Sequence, residues 1–292
     1  MNTEHITGNI ATEETEWTEI IEPQNKLLDL KLRDVWRYRD LLLLLVRRDF
    51  VATYKQTILG PIWFFLQPIL TTLTFTLIFG RIAGLSTDGL PMMLFYLAGV
   101  TMWNYFAECL NKTATVFKDN AAVFGKVYFP RLVMPLSIVV SNLVKLGIQF
   151  VLFLGFWGYY MATGANVQPN AALLLFPVLI LLMGGLGLGF GMIISAMTTK
   201  YRDLVFLLTF GVQLLMYATP VIYPLSTIGD KYKWLILANP MSSIIETFRY
   251  GFLGTGTFHW GYLAYSAGFT VVVLLLGTVN FNRVEKSLMD TV

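Results

Sequence analysis

The fold is decided by the stretch Arg47-Arg48-Asp49-Phe50-Val51-Ala52-Thr53-Tyr54-Lys55-Gln56-Thr57-Ile58-Leu59-Gly60-Pro61-Ile62-Trp63, in which a charged segment gives way to a long uncharged one. From Gln56 to Gly80 no residue is charged, which is long enough to cross a bilayer because a spanning helix needs about 20 apolar residues. At the junction, Gly60 offers a backbone joint and Pro61 favours the start of a helix. The stretch therefore predicts where the chain enters a membrane.

The composition also indicates an integral membrane protein and excludes other classes. The 292 residues are 55% hydrophobic and 13% charged, whereas soluble domains carry roughly 25% charged residues. A net charge of +3 gives no reason to expect a nucleic-acid partner. The single cysteine, Cys109, excludes an internal disulfide, and His5 and His259 do not form a metal-ligand spacing. No G-x-x-x-x-G-K-[ST] loop is present, so we expect neither a metal site nor a phosphate-binding loop for ATP.

The charge and turn pattern predicts an all-α membrane protein with six transmembrane helices per chain. The uncharged stretch between Lys145 and Lys200 is too long for one crossing, so a turn-rich segment at 162–170 must divide it. The predicted spans cover roughly residues 58–79, 92–117, 132–161, 173–197, 204–223 and 262–281.

The same pattern divides the chain into four regions. Residues 1–25 are polar and acidic and predict a disordered cytosolic tail without a secretory signal. Residues 26–55 mix basic residues with apolar ones and predict an amphipathic helix at the inner headgroup layer, although a soluble helical hairpin is an alternative. The transmembrane domain covers 56–281, and 282–292 form a second cytosolic tail. The candidate lipid-headgroup contacts are Arg37, Arg39, Arg47, Arg48 and Lys55.

The distribution of lysine and arginine places both termini in the cytosol. Basic residues are dense in 26–55 and recur in the loops 118–131 and 198–203, whereas the opposite side has few. The outer exceptions are Arg81, Lys231, Lys233 and Arg249.

The last predicted outer loop, 224–260, contains another helical pattern. Pro240 suits a first helical turn and Gly254 suits a helix end. The segment is too short to cross the membrane, so it predicts a re-entrant helical hairpin between spans five and six, covered by protein. Its apolar face is formed by Ile244, Ile245, Phe248 and Phe252.

Two predicted spans carry a stripe of polar and aromatic residues. Such side chains in lipid are satisfied either by neighbouring helices or by a polar cavity. A sugar path would use both hydrogen-bonding groups and aromatic faces, but helix packing explains the pattern equally well. In span one the candidate channel residues are Trp63, Gln67, Thr71 and Thr74. In span five they are Phe206, Phe210, Gln213 and Tyr217.

Charged residues and glycines inside the spans favour packing roles. Counting residues along predicted spans two and three places Glu108 and Lys145 at similar depth in the membrane, so we expect a structural ion pair between them. Lys112 lies one helical turn from Glu108. The run Gly184–Gly191 contains two G-x-x-x-G spacings, which allow close backbone approach within one chain or between two. The spans hold no nucleophile–base pair, metal cluster or paired carboxylates, so we expect no enzyme activity.

Several further motifs follow one another in a fixed order. They are Tyr54-Lys55-Gln56-Thr57-Ile58-Leu59-Gly60 with Trp63 and Leu66-Gln67-Pro68, then Lys126-Val127-Tyr128-Phe129-Pro130-Arg131-Leu132, Tyr201-Arg202-Asp203, Thr219-Pro220-Val221-Ile222-Tyr223-Pro224, Asn239-Pro240 and Phe248-Arg249-Tyr250. Over residues 47–281 the chain resembles the ABC-2-type permeases that export polysaccharides of the O-antigen and capsule type. It departs from them at Thr53, where many relatives have a basic residue, and at Pro61.

The resemblance implies partners and roles. It implies a homodimer with two copies of a separate ABC ATPase subunit, which bind ATP and Mg, so that this chain itself holds no cofactor. The substrate would be an undecaprenyl-diphosphate-linked polysaccharide, exported across the bacterial inner membrane. Spans one and five would line the channel, and the outer hairpin would close its periplasmic end. The cytosolic gate would be Leu59, Gly60 and Pro61. The ATPase coupling residues would be Asn120, Lys126, Tyr128, Phe129 and Arg131, with the interfacial helix as a second contact.

Other functions remain open at this point. Within the same family, the substrate could be a teichoic acid, a capsule or a drug. An ion-coupled flippase for lipid-linked sugars would have internal repeats and ionisable residues at mid-membrane. The sequence shows no repeat and few charges in the predicted spans. A membrane-embedded glycosyl- or phosphotransferase needs interfacial carboxylates or histidines, whereas Asp119 and Asp203 are isolated.

Overall fold

The computed structural model describes residues 32–55, 57–124, 129–201 and 203–289, and within these residues it contains helices and no strand. The first segments are α1 (Leu32–Arg37) and α2 (Arg39–Tyr54), followed by a 3-10 turn (Gly60–Ile62), α3 (Trp63–Phe75) and its π-helical continuation (Thr76–Ile82). The next helices are α4 (Met92–Ala114), α5 (Val116–Asp119), α6 (Ala121–Phe124) and α7 (Val133–Ala162). A 3-10 segment (Ala171–Leu175) leads into α8 (Phe176–Lys200), and α9 (Leu204–Tyr217) is followed by a 3-10 turn (Leu225–Thr227), α10 (Asp230–Ala238), α11 (Pro240–Leu253) and α12 (Trp260–Met289).

Four helical segments are long and apolar enough to cross a membrane. They are Gly60–Ile82, Val133–Ala162, Ala171–Lys200 and Trp260–Val284. They correspond to predicted spans one, three, four and six, so the all-α membrane architecture is confirmed. Predicted span two is α4, which has 23 residues but a more polar composition. Predicted span five contains α9, which has only 14 residues.

Helix α4 lies at the centre of the chain. It packs against α3, α7, α8, α9 and α11, and its side chains are buried from Leu94 to Trp103. Because neighbouring helices surround this part of α4, it can carry polar groups such as Thr101 that would be costly on a lipid-facing helix. The interior position of α4 therefore explains its composition.

The glycine run brings α8 against two neighbours at once. A Cβ atom built at Gly187 would lie 2.6 Å from the Cβ of Cys109 on α4, and one at Gly189 would lie 2.8 Å from the Cγ1 of Val273 on α12. Side chains at these positions would push the helices apart. Since both partners belong to the same chain, these glycines serve packing within the chain. Gly184 and Gly191 also face α4, and Gly185 also faces α12.

The two predicted turns around α11 are confirmed. Asn239 caps α11 by accepting a hydrogen bond from the backbone N–H of Met241, and Pro240 occupies the first turn. Gly254 ends the helix with a φ of +80°. The segment at 162–170 divides α7 from the following helix, and its Asn170 donates through Nδ2 to the carbonyl of Tyr250 at 2.7 Å. The α7–α8 connection is therefore tied to the end of α11.

A second apolar cluster joins α2 to the helical bundle. It joins α2, α5, α7, α8 and α12 and includes a stacked pair, Phe117 and Phe281, with ring centroids 4.6 Å apart. Leu45 is the α2 residue buried in this cluster, whereas Leu43 and Leu44 are exposed. Helix α2 thus lies against the helical bundle on one side and leaves leucines uncovered on another.

We expect Gly187→Ala to destabilise the protein, because the added methyl group meets both Cys109 and the backbone of α4. Overpacking of this kind costs about 1–3 kcal/mol. Thermal unfolding in detergent measures the change. Gly155→Ala is the matched control, because Gly155 lies on α7 with nothing within 4 Å of an added Cβ and alanine favours helix. Equal midpoints for the two variants would contradict a packing role for Gly187.

Candidate functional site

The polar stripe of α3 lies on a face that the described residues leave largely uncovered. Trp63 has 46% of its surface exposed, and Gln67 and Thr74 are also exposed, whereas Thr71 is half-buried. The Thr74 hydroxyl donates to the carbonyl of Leu70 at 2.8 Å, which satisfies it within the helix. The buried face of α3 is a different one, formed by Phe64, Pro68, Thr72 and Phe75.

The stripe of α9 is uncovered as well. Phe206 has 80% of its surface exposed, and Phe210, Gln213 and Tyr217 are exposed too. Val212 is the residue of α9 that is buried. Helix α3 packs on α4 and α7, while α9 packs on α4 and α8, so both stripes flank the central helix without being covered by it.

The junction before α3 is a left-handed glycine. Gly60 has a φ of +51°, and nothing lies within 4 Å of a Cβ built there, so conformation rather than space demands glycine. Leu59 and Gly60 are half-buried, and Pro61 stands in the first turn of the 3-10 segment. The predicted backbone joint and helix start are therefore confirmed.

Arg249 is a buried side chain of α11 that lies beside the segment following α9. Its guanidinium donates to the carbonyl of Pro220 and, at 2.5 Å, to that of Val221, and it lies 3.8 Å from the ring centroid of Phe95. Glu246 provides a carboxylate at 3.5 Å. Burial lowers the pKa of Arg249 to about 10, against the opposing attraction of Glu246, so the group stays a cation at neutral pH.

Three of the motifs quoted above meet around this arginine. Arg249 clamps the two carbonyls of the Thr219–Pro224 motif, and the Nδ2 of Asn239 donates to the Thr219 hydroxyl at 2.7 Å. On α4, a Cβ at Gly99 would lie 2.6 Å from the Nη2 of Arg249, so glycine leaves room for the guanidinium. In the sequence, Arg249 counted as an outer positive charge against the orientation rule. The structure shows instead a buried, paired cation.

An ion pair joins α4 to α7, as expected. The Nζ of Lys145 lies 2.6 Å from the Oε2 of Glu108, which confirms the predicted pair, and the Nζ of Lys112 lies 3.6 Å from the same oxygen. Lys145 is also 5.9 Å from the ring centroid of Phe64. The pair thereby reaches the buried face of α3.

The predicted coupling residues begin beside α2. Asn120, between α5 and α6, accepts a hydrogen bond from the Nη2 of Arg48 at 3.1 Å, and Arg48 also pairs with Asp49 at 2.8 Å. One predicted headgroup residue and one predicted coupling residue are therefore in contact. The remaining candidate headgroup residues are exposed: Arg37, Arg39, Arg47 and Lys55.

The base of the predicted coupling loop is packed. Phe129 is only 5% exposed, and its ring stacks on that of Phe124 at 5.8 Å. The guanidinium of Arg131 lies 5.6 Å from the same Phe124 ring. Lys126 and Tyr128 lie outside the described residues. Phe129 therefore anchors the loop, and its replacement would change packing as well as any contact with a partner.

The described residues contain no group of three or more His, Cys, Asp or Glu side chains that could hold a metal ion.

Comparison with known families identifies the family to which this chain belongs. The family described as ABC-2 type transporter matches residues 40–253, which is more than half of the chain. This chain belongs to the ABC-2 type transporter family. The matched region begins in α2 and ends with α11, so it includes the stripes of α3 and α9 and the Arg249 clamp.

Curated relatives cover most of this ABC-2 transporter chain. It is 34% identical over 222 residues to the O-antigen export system permease protein RfbA of Myxococcus xanthus, which covers 75% of this chain and 82% of that protein. It is 27% identical over 254 residues to an O-antigen export system permease protein RfbA of Klebsiella pneumoniae, covering 84% and 92%. It is 24% identical over 255 residues to the polysialic acid transport protein KpsM of Escherichia coli, covering 84% and 93%.

Sequence reasoning missed the clamp, although one signal pointed to it. Arg249 and Glu246 are charged residues three apart in a helix whose other residues are largely apolar or small, which predicts a buried pair. The carbonyl partners in Pro220 and Val221 carry no side-chain signature, so only the structure reveals them.

We expect Arg249→Met to destabilise the protein strongly. It leaves two buried carbonyls unpaired and the carboxylate of Glu246 without its cation, and breaking a buried pair costs about 3–5 kcal/mol. The yield of monodisperse protein and its thermal midpoint measure the loss. Adding Glu246→Gln to Arg249→Met should recover part of it, because the uncompensated charge is then removed. Lys231→Met, at an exposed residue of α10, should stay within about 0.5 kcal/mol of the parent. An Arg249→Met protein as stable as that control would refute the clamp.

Proposed function

We propose that this chain is the transmembrane permease subunit of an ABC transporter that exports undecaprenyl-diphosphate-linked polysaccharide of the O-antigen type across the bacterial inner membrane. The carrying observation is the 34% identity over 75% of the chain to a protein named for O-antigen export. The named relatives also include a polysialic acid transport protein at 24% identity, which favours a capsule polysaccharide as the second candidate substrate.

The proposed architecture has six membrane-crossing helices. Four are the apolar segments described above, and α4 and α9 are the other two. With a rise of 1.5 Å per residue, the 23 residues of α4 span about 35 Å, which is enough to cross. The 14 residues of α9 span about 21 Å, so the chain after Tyr217 completes that crossing. Both termini face the cytosol, and α10 and α11 form the outer re-entrant hairpin.

The proposed substrate path lies between two copies of the chain. A sugar polymer in lipid would leave hydroxyl groups unpaired at a cost of several kcal/mol each. The stripes of α3 and α9 offer amides, hydroxyls and aromatic rings on faces that one chain leaves uncovered. In a homodimer these stripes enclose a polar path, with Leu59, Gly60 and Pro61 as its cytosolic gate.

Energy comes from a separate subunit in this proposal. Two copies of an ABC ATPase bind ATP and Mg, and this chain is not an enzyme. The coupling segment includes Asn120, Lys126, Tyr128 and Arg131, with Phe129 holding its base. The exposed arginines of α1 and α2 and Lys55 contact lipid headgroups. Residues 1–25 form a cytosolic tail, and no nucleic acid is involved.

The purified chain in lipid nanodiscs should hydrolyse no ATP above the rate of empty nanodiscs. An ABC ATPase that co-purifies with the tagged chain from its host should turn over ATP, and lipid-linked polysaccharide should stimulate that turnover. Phosphate release measures both. Sustained ATP hydrolysis by the chain alone would refute the permease assignment.

Gln67→Trp or Tyr217→Trp should reduce polysaccharide export by about tenfold or more, because the indole fills a path lined by these residues. Surface polysaccharide in cells that lack the native gene measures export, and immunoblotting of membranes measures the amount of protein. Leu276→Trp is the control, at an exposed position of α12 away from both stripes. Normal export by both path variants would assign the stripes to helix packing.

A further inference from the structure

A small cleft lies between α4 and α7 and has room for about one water molecule. Its walls are one face of each helix, since the residues that line it recur at helical spacing. They are Asn104, Tyr105 and Glu108 on α4 and Asn142, Lys145, Leu146 and Gln149 on α7. All of them except Leu146 have polar side chains, whereas cavities that stay empty in proteins are lined by apolar groups. The lining therefore indicates a hydrated cleft.

The amide of Asn142 lacks one of its hydrogen-bond partners. Asn142 is 1% exposed, and its Oδ1 has no partner among the described residues. Its Nδ2 donates to the Sγ of Cys109 at 3.8 Å, which is a weak acceptor. Exchanging the two amide atoms would not change this, because Cys109 can satisfy only one of them. A buried polar atom of this kind costs free energy unless a ligand in the cleft pairs with it.

The charges that line the cleft favour a neutral ligand. The Nζ of Lys145 lies 2.6 Å from the Oε2 of Glu108, so the one ammonium and the one carboxylate of the lining neutralise each other. A cation in so small a space would be repelled by Lys145, and an anion would be repelled by Glu108 and by the Oδ1 of Asn142. A water molecule avoids both problems because it is uncharged and both donates and accepts hydrogen bonds.

We propose that this cleft binds one structural water molecule, which donates a hydrogen bond to the Oδ1 of Asn142 and joins that amide to the Glu108–Lys145 pair. A bridging water is nearly as favourable as a direct hydrogen bond, so it satisfies the buried amide. It also hydrates a charged pair whose desolvation would otherwise weaken the contact between α4 and α7. The site goes beyond the proposed function and does not depend on it.

X-ray hydroxyl-radical footprinting of the chain in lipid nanodiscs tests the site, because brief irradiation oxidises the side chains that lie next to bound water. Tyr105 is the reporter, since it lines the cleft and is only 4% exposed. Met102 is the control on the same helix: it is fully buried, does not line the cleft and has a readily oxidised sulfur. Mass spectrometry should detect oxidation of Tyr105 and none of Met102.

The variant Asn142→Leu shows whether the oxidation comes from the proposed water. Leucine is similar in size but offers no acceptor, so the oxidation rate of Tyr105 should fall by about fivefold or more as the water loses its partner. Ser141→Ala changes the neighbouring residue, which does not line the cleft, and should leave the rate unchanged. The proposal is overturned by a parent protein in which Tyr105 is not oxidised, or by equal rates in the two variants.

A cryo-EM map of the parent chain at a resolution that shows ordered water is the second measurement, and it serves if Asn142→Leu does not fold. The expected density peak lies in the cleft, about 2.7–3.2 Å from the side-chain amide of Asn142. A map that shows ordered water elsewhere in the protein but no peak in the cleft would also overturn the proposal. Neither measurement uses the ATPase or the polysaccharide, so the water site and the proposed function are tested separately.

Discussion

The close contact between α4 and α8 is the constraint on which the rest of the structure depends. Glycines at 184, 187 and 191 let the backbone of α8 approach α4, and Gly185 and Gly189 do the same toward α12. In a membrane, water does not drive helices together, so close packing must hold them. With α8 so near, α4 becomes an interior helix. The pairing of Glu108 with Lys145 and the space at Gly99 for Arg249 then become possible.

The polar groups of the chain fall into two classes. On α4 and α11, two charged groups are paired within the chain: Arg249 with backbone carbonyls and Glu108 with Lys145. Those on α3 and α9 are exposed and lie beside apolar neighbours. Polar side chains within a membrane need hydrogen-bond partners, and this holds for the two stripes as well. We infer that their partners lie outside the single chain, which is where the proposal places a second copy and the sugar.

Local signals in the sequence predicted some features well and others not at all. The ends of α11 were predicted from Pro240 and Gly254, because the start and end of a helix depend on the conformations that these residues favour. The Glu108–Lys145 pair followed because two opposite charges stood at matching depth in apolar helices. The Arg249 clamp could not be predicted from the sequence, because its hydrogen-bond acceptors are backbone carbonyls. The direction of the glycine contacts also depended on the fold, since G-x-x-x-G fits contacts within or between chains equally well.

The two candidate path helices are attached differently at the ends described here. Helix α3 starts after Gly60, whose left-handed conformation is set by an unhindered glycine rather than by packing. Helix α9 is followed by the Thr219–Pro224 motif. Arg249 donates hydrogen bonds to backbone carbonyls of this motif, and Asn239 donates one to the Thr219 hydroxyl. A glycine with nothing near its Cβ position can rotate at little cost, whereas the clamp moves only if buried hydrogen bonds break. For the proposed transporter, we infer that a gating motion is concentrated at the Gly60 joint, while the Thr219–Pro224 end of α9 moves with α4 and α11 as one unit.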